Sequence, residues 1–111
     1  MITVKFDYTQ EGKIQSFTMS GHANFAKHGS DIVCAGASAV SFGTVNSIMS
    51  LTDVQPVIDT DGNGGYLRCQ IPTDISVESE EKVQLLLEAM LISLQTIERD
   101  YGKYIKINLN K

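Results

Sequence analysis

Residues 2–20 read ITVKFDYTQEGKIQSFTMS, and this stretch decides the class of fold. Ile2, Val4, Phe6 and Tyr8 alternate with Thr3, Lys5 and Asp7, a period of two that marks a strand with one buried face. Gln10, Glu11 and Gly12 make a turn. Residues 13–20 then resume the alternation, with Phe17 and Met19 on one face and Ser16 and Thr18 on the other. Two such runs joined by a short turn predict an antiparallel hairpin, ending at Gly21 and His22.

Outward from the hairpin the pattern changes period. Residues 31–51 are helical and nearly apolar all round, so this helix is expected to be buried on most sides. Gly36 and Gly43 share one of its faces, each costing about 1 kcal/mol relative to Ala, and close approach of another backbone is the expected reason. Residues 54–59 and 66–71 flank TDGNGG, a hairpin turn signal, with Pro56 marking an edge strand or a strand start. Leu67, Cys69 and Ile71 share a face, which makes Cys69 a small core hydrophobe.

Residues 78–101 form the cleanest amphipathic helix, with Val83, Leu86, Leu87, Met90, Leu91, Leu94, Ile97 and Tyr101 in its stripe and Gly102 expected as a left-handed cap. Leu85, Ala89 and Ile92 widen that stripe, which points either to deep burial or to a homodimer formed through this helix. A last strand over residues 104–109 turns Ile105, Ile107 and Leu109 inward. The order ββαββαβ predicts an α+β domain, a mostly antiparallel five-stranded sheet packed with two helices.

A length of 111 residues fits a single domain with its own core. The hydrophobic fraction of 42% and charged fraction of 20% are those of a soluble globular protein. No unbroken apolar run of about 18 residues and no basic, apolar leader is present, so a cytoplasmic location without membrane contact is expected. The net charge is −4 and Lys and Arg do not cluster, which disfavours direct nucleic-acid binding. Two cysteines in a reducing compartment are not expected to form a structural disulfide.

The chemistry-bearing segment is HANFAKHGSDIVC, residues 22–34. Asp31 reads as the N-cap of the first helix, which puts Cys34 at the third helical position, where the positive end of the helix dipole favours a negative sulfur. His22 is the candidate base for that thiol. Asp31 has a second open role, orienting the imidazole. Ser38, one turn after Cys34, either bonds the thiolate or its own i−4 carbonyl, and Gly21 either admits substrate backbone or only turns the chain. His22, His28, Asp31 and Cys34 also allow a metal reading, which the absence of a CxxC or HxxxH pair weakens. The loop between His22 and Cys34 is polar and long for this chain, as binding or gating loops often are.

GHANFAKHGSDIVCAGASAV, residues 21–40, resembles the signature of the ribosomal-processing cysteine protease family, Prp. The resemblance continues through SFGTVNSIMSLT, the GNGG turn and LLLEAMLISLQTIERDYG, and so spans essentially the whole chain. It implies Cys34 as nucleophile and His22 as its base, with Gly21, Asp31 and Ser38 as accompanying motif residues. The implied activity is bacterial endopeptidase, removing a short N-terminal extension from large-subunit ribosomal protein twenty-seven. The implied mechanism is acyl transfer needing neither metal nor cofactor, with the N–H groups of Cys34 and Ala35 stabilising the oxyanion. A homodimer is implied too, with a loop over residues 24–30 that moves to admit substrate.

Overall fold

The computed structural model describes residues 1–27, 30–62 and 64–111, so His28, Gly29 and Asn63 lie outside the described residues. The elements follow the predicted order: β1 (Ile2–Tyr8), β2 (Ile14–Ser20), α1 (Ile32–Leu51), β3 (Val57–Thr60), β4 (Tyr66–Gln70), α2 (Val77–Tyr101) and β5 (Ile105–Asn110). The strands make one sheet in the order β3-β4-β2-β1-β5. All pairs are antiparallel except β5, which lies parallel to β1 after the chain has crossed the sheet through α2.

The period-two pattern sets the layers. Val4 pairs with Met19 and Phe6 with Phe17, and these in turn face Leu67 and Cys69, all buried beneath the helices. On the other face Arg68 donates to the Thr18 hydroxyl at 2.9 Å. The first hairpin carries one irregularity: the partner of β1 jumps from Ser16 opposite Asp7 to Ile14 opposite Tyr8, leaving Gln15 extra. That bulge turns Ile14 into the core, and the Gln84 side chain closes its backbone, accepting from Ile14 N–H and donating to its carbonyl, both at 2.8 Å.

α1 is less covered than its composition predicts. Val33, Ala37, Ser41, Val45 and Ile48 form one buried stripe, whereas Ile32, Phe42, Met49 and Leu51 are exposed. A helix lying on one side of a single sheet buries one stripe, whatever its other faces carry. With mean hydropathy 1.5 and 20 residues, α1 is long and apolar enough to cross a membrane by length and composition, yet its stripe packs within the domain. Among the described residues no other backbone closes on its glycines: a Cβ at Gly36 would touch Ile97 Cδ1 at 3.5 Å, and one at Gly43 would meet nothing within 4 Å.

In α2 Val83, Leu87, Met90, Leu91 and Leu94 of the predicted stripe are buried and Leu86, Ile97 and Tyr101 half-buried, but Leu85 is 71% and Ile92 62% exposed and Ala89 is exposed as well, so deep burial within the chain does not account for them. Gly102 is right-handed (φ −62°, ψ −12°), not the left-handed cap expected, because the chain tightens into a turn in which Tyr104 N–H donates to the Tyr101 carbonyl at 2.8 Å. β3 is the edge strand that Pro56 signalled, though shorter than predicted. Val54, which had extended its pattern, is buried in the preceding connection. In β5 Ile105 is buried, while Leu109 at the far end is 41% exposed rather than inward.

Candidate active site

At the end of β2 the chain must leave the sheet sharply, and Gly21 makes that possible. Its φ is +90°, its N–H donates to the Gly65 carbonyl at 2.8 Å, and a Cβ there would run into the Met1 carbonyl oxygen. Gly21 thus turns the chain and ties β2 to the turn before β4. The next residue, His22, is exposed, and the one after it, Ala23, is buried and aims its N–H at Cys34 Sγ, 3.3 Å away.

Asp31 is the N-cap of α1. Its Oδ1 accepts from the N–H groups of Val33 and Cys34, both at 3.0 Å, and its Oδ2 accepts from Phe25 at 2.8 Å and Ala26 at 3.2 Å. One carboxylate therefore joins the start of the loop to the start of the helix. Burial pushes the Asp31 pKa up, but the N–H groups of Cys34, Ala26, Phe25 and Val33 outweigh it and hold the acid below its ordinary 3.8. With both oxygens so used, Asp31 makes no hydrogen bond to His22; of its two expected roles the cap is the one observed.

His22, Cys34 and Ser38 are shared walls of two adjoining cavities, of about 470 Å³ and about 170 Å³. Asp31 and Ala35 line the larger, and Gly21 the smaller, so Gly21, His22, Asp31, Cys34, Ala35 and Ser38 all line this cleft. Thiol and imidazole line a channel between the start of α1 and the β3–β4 turn.

Two expected sets of hydrogen bonds are not seen in this conformation. The Cys34 N–H is engaged by Asp31 Oδ1 and the Ala35 N–H by the Asp31 carbonyl, each at 3.0 Å, so the cap and the first helical bond leave neither free for an oxyanion in this conformation. Ser38 makes neither of its expected bonds, to the sulfur or to the i−4 carbonyl, among the described residues. The metal reading needs His28, which lies outside the described residues. Among those described, no three His, Cys, Asp or Glu side chains are grouped to hold an ion.

Several contributors were not visible as site residues in the sequence. Phe42, one turn beyond Ser38 on the row Cys34, Ser38, Phe42, lines the smaller cavity, and its helical spacing was the available signal. Phe25, inside the loop, packs edge-on against Tyr101 and Tyr104, with ring centroids at 5.6 and 5.0 Å. Gly65 sits beneath the His22 ring. The Ala23 N–H carried no signal, because backbone donors are not written in side-chain identity.

Residues 1–106 match the model of the family described as Cysteine protease Prp. The chain is 44% identical over 110 residues to the ribosomal processing cysteine protease Prp of Bacillus subtilis (strain 168), covering 99% of this chain and 98% of that protein. It is 47% identical over 109 residues to the protein of the same name from Staphylococcus aureus (strain NCTC 8325 / PS 47), covering 97% and 98%. It superimposes with a TM-score of 0.90 on the crystal structure of an essential ribosomal processing protease Prp from S. aureus with a covalently linked product peptide, at 45% identity over 99% of this chain and 100% of that one. A second S. aureus Prp structure, holding a substrate peptide, matches with a TM-score of 0.84 at 43% identity over the same shares. The family match over residues 1–106, with 44–47% identity over nearly the full length of these relatives, makes this chain a cysteine protease belonging to the ribosomal processing cysteine protease Prp family.

Proposed function

We propose that this protein removes the N-terminal extension of large-subunit ribosomal protein twenty-seven, with Cys34 as nucleophile and His22 as general base. The observation that carries the dyad is the position of Cys34 Sγ, in the first turn of α1 with a backbone N–H aimed at it and His22 on the same cavity walls. The helix N-terminus and the Ala23 N–H both favour the attacking anion.

His22 takes the thiol proton, and the sulfur bonds to the scissile carbonyl carbon. The C–N bond then breaks as that proton passes to the departing amine. Water, losing a proton to His22, next cleaves the thioester and restores the thiol. Asp31 positions rather than reacts, holding loop and helix start in register. The peptides bound in the S. aureus structures support a polypeptide occupant of this cleft. An acidic protein, net charge −4, is compatible with a basic ribosomal substrate, and direct nucleic-acid binding is disfavoured.

The test is the intact mass of the precursor ribosomal protein after incubation with wild type, Cys34→Ala and His22→Ala. Loss of the extension with wild type alone is the expected result; cutting by Cys34→Ala at the wild-type rate overturns the assignment. An unchanged mass with wild type, beside a stable complex, would instead mark a non-enzymatic assembly module.

The same reading includes a cytoplasmic homodimer. Support for the dimer comes from Ala89 and Gly43 on the outer groove between α1 and α2 and from the exposed Leu85 and Ile92 on α2. A monomer mass by light scattering at micromolar concentration would remove it.

A further inference from the structure

Cysteine–histidine pairs usually have a third group hydrogen-bonded to the imidazole to orient it. Among the described residues no hydrogen bond or ion pair reaches His22, and Asp31 has both oxygens on backbone N–H groups. The ring does lie against the backbone of Gly65. A Cβ built on Gly65 would lie 2.7 Å from His22 Nε2, 3.0 Å from Cε1 and 3.5 Å from Cδ2, so the imidazole rests where only a bare Cα fits. The Gly65 carbonyl also accepts the Gly21 N–H at 2.8 Å, which fixes the residue before His22 to the residue under its ring. A φ of +81° at Gly65 presents that carbonyl and that Cα together.

We propose that Gly65 is a positioning residue for the general base, its bare Cα and its bond to Gly21 forming a seat that orients the His22 imidazole in place of a hydrogen-bonding third residue. The proposal rests on the reading of His22 as base. It assigns the second hairpin a role in the chemistry: the turn before β4 reaches across to the loop after β2 and sets the direction of a ring nitrogen. Because the clashing atoms are the far end of a side chain, a methyl group at 65 moves the ring and leaves the backbone in place.

The experiment compares Gly65→Ala with Gly12→Ala. Gly12, in the remote β1–β2 turn, has a similar φ of +84° and nothing within 4 Å of its would-be Cβ, so it carries the backbone strain without the displaced ring. Both variants are expected to melt somewhat lower. Only Gly65→Ala is expected to lose kcat, by about 100-fold with KM within about twofold, as an ångström of misplacement does. Its pH profile of Cys34 alkylation is expected to move toward that of His22→Ala.

A Gly65→Ala protein with the kcat and pH profile of Gly12→Ala overturns the seat. The unmodified protein gives an independent check: nuclear Overhauser contacts between the Gly65 Hα pair and His22 Hε1 are expected, and their absence overturns the proposal even where the variant does not fold. His22→Ala separates the two layers of inference. Wild-type cleavage without the imidazole overturns the base assignment itself, whereas an inactive His22→Ala beside a fully active Gly65→Ala overturns only the seat.

Discussion

Cys34 and Cys69 are both free, and the fold gives the same thiol two opposite surroundings. Cys34 stands half-buried in the first turn of a helix, at the wall of a cleft, with the Ala23 N–H directed at its sulfur. Cys69 faces the helices from β4, between β3 and β2, with no exposed surface. There burial pushes its thiol from an ordinary 9.0 up to about 12, against a pull the other way from the Arg68 charge. The fold thus sets one sulfur at a cleft beside a backbone donor and closes the other into the core.

The sharpest way to break that contrast is substitution. Cys34→Ala is expected to abolish precursor cleavage, a loss on the order of 10⁶-fold as for other nucleophile deletions, with its melting curve near wild type. Cys69→Ala is expected to cut normally and to lose about 1–2 kcal/mol of stability through the small cavity it leaves. A Cys69→Ala protein that folds but does not cut would mean that the core cysteine has been misjudged.

Alkylation tests the same contrast without mutation. At pH 8 a thiol with a pKa of about 12 is ionised to only about one part in 10⁴, so native protein treated with iodoacetamide is expected to carry the label on Cys34 alone. Cys69 should label only after unfolding. Peptide mapping of protein labelled native and then denatured reads both sites, and equal labelling of the two in the native state would overturn the assignment of Cys69 to a closed core.

These surroundings were unequally legible in the sequence. The alternation of Ile2, Val4 and Phe6 and the run Leu67, Cys69, Ile71 revealed the sheet and the buried cysteine, because side-chain period is a property of one strand at a time. The cap at Asp31, and with it the helical position of Cys34, was legible for the same local reason. Strand order, the parallel β1–β5 pair, the Gln15 bulge with its Gln84 partner and the seat at Gly65 were not, since each joins segments far apart in the chain. The covered share of α1 was misread because composition reports what a helix can bury, while the layer it packs on decides what it does bury.

The two regions also divide the pH dependence of stability. Cys69 keeps its proton in the native state while the unfolded chain releases it near 9, so its contribution is whole below pH 9 and is lost as pH rises toward about 12. The expected slope is up to about 1.4 kcal/mol per pH unit, absent in Cys69→Ala. Asp31 has the opposite sign: its native pKa is below 3.8, so its contribution is whole above that value and is lost as pH falls through the depressed one. Asp31→Asn keeps an acceptor for the cap but puts an NH₂ where Phe25 and Ala26 donate, and is expected to flatten the acid limb by up to about one proton in denaturant titrations. Unchanged limbs in both variants would refute the division.

The smallest effect belongs to Phe25, which bears on Cys34 and not on Cys69. Its ring leaves the loop to pack against Tyr101 and Tyr104, at the junction of α2 and β5, while its N–H is held by Asp31, so the loop is pinned at one residue by both side chain and backbone. Phe25→Ala removes the side-chain half of that pin and leaves the backbone half. The edge-to-face contacts are worth about 0.5–1.5 kcal/mol beyond burial, and Phe25 is 39% exposed, so a loss of about 1 kcal/mol in overall stability is expected. The loop that lines the thiol's cavity should then open more often, raising the native alkylation rate of Cys34 by a few-fold while Cys69 stays unlabelled. If both cysteines accelerated together, Phe25 would be holding the whole domain rather than the loop, and the two sulfurs would share one opening event.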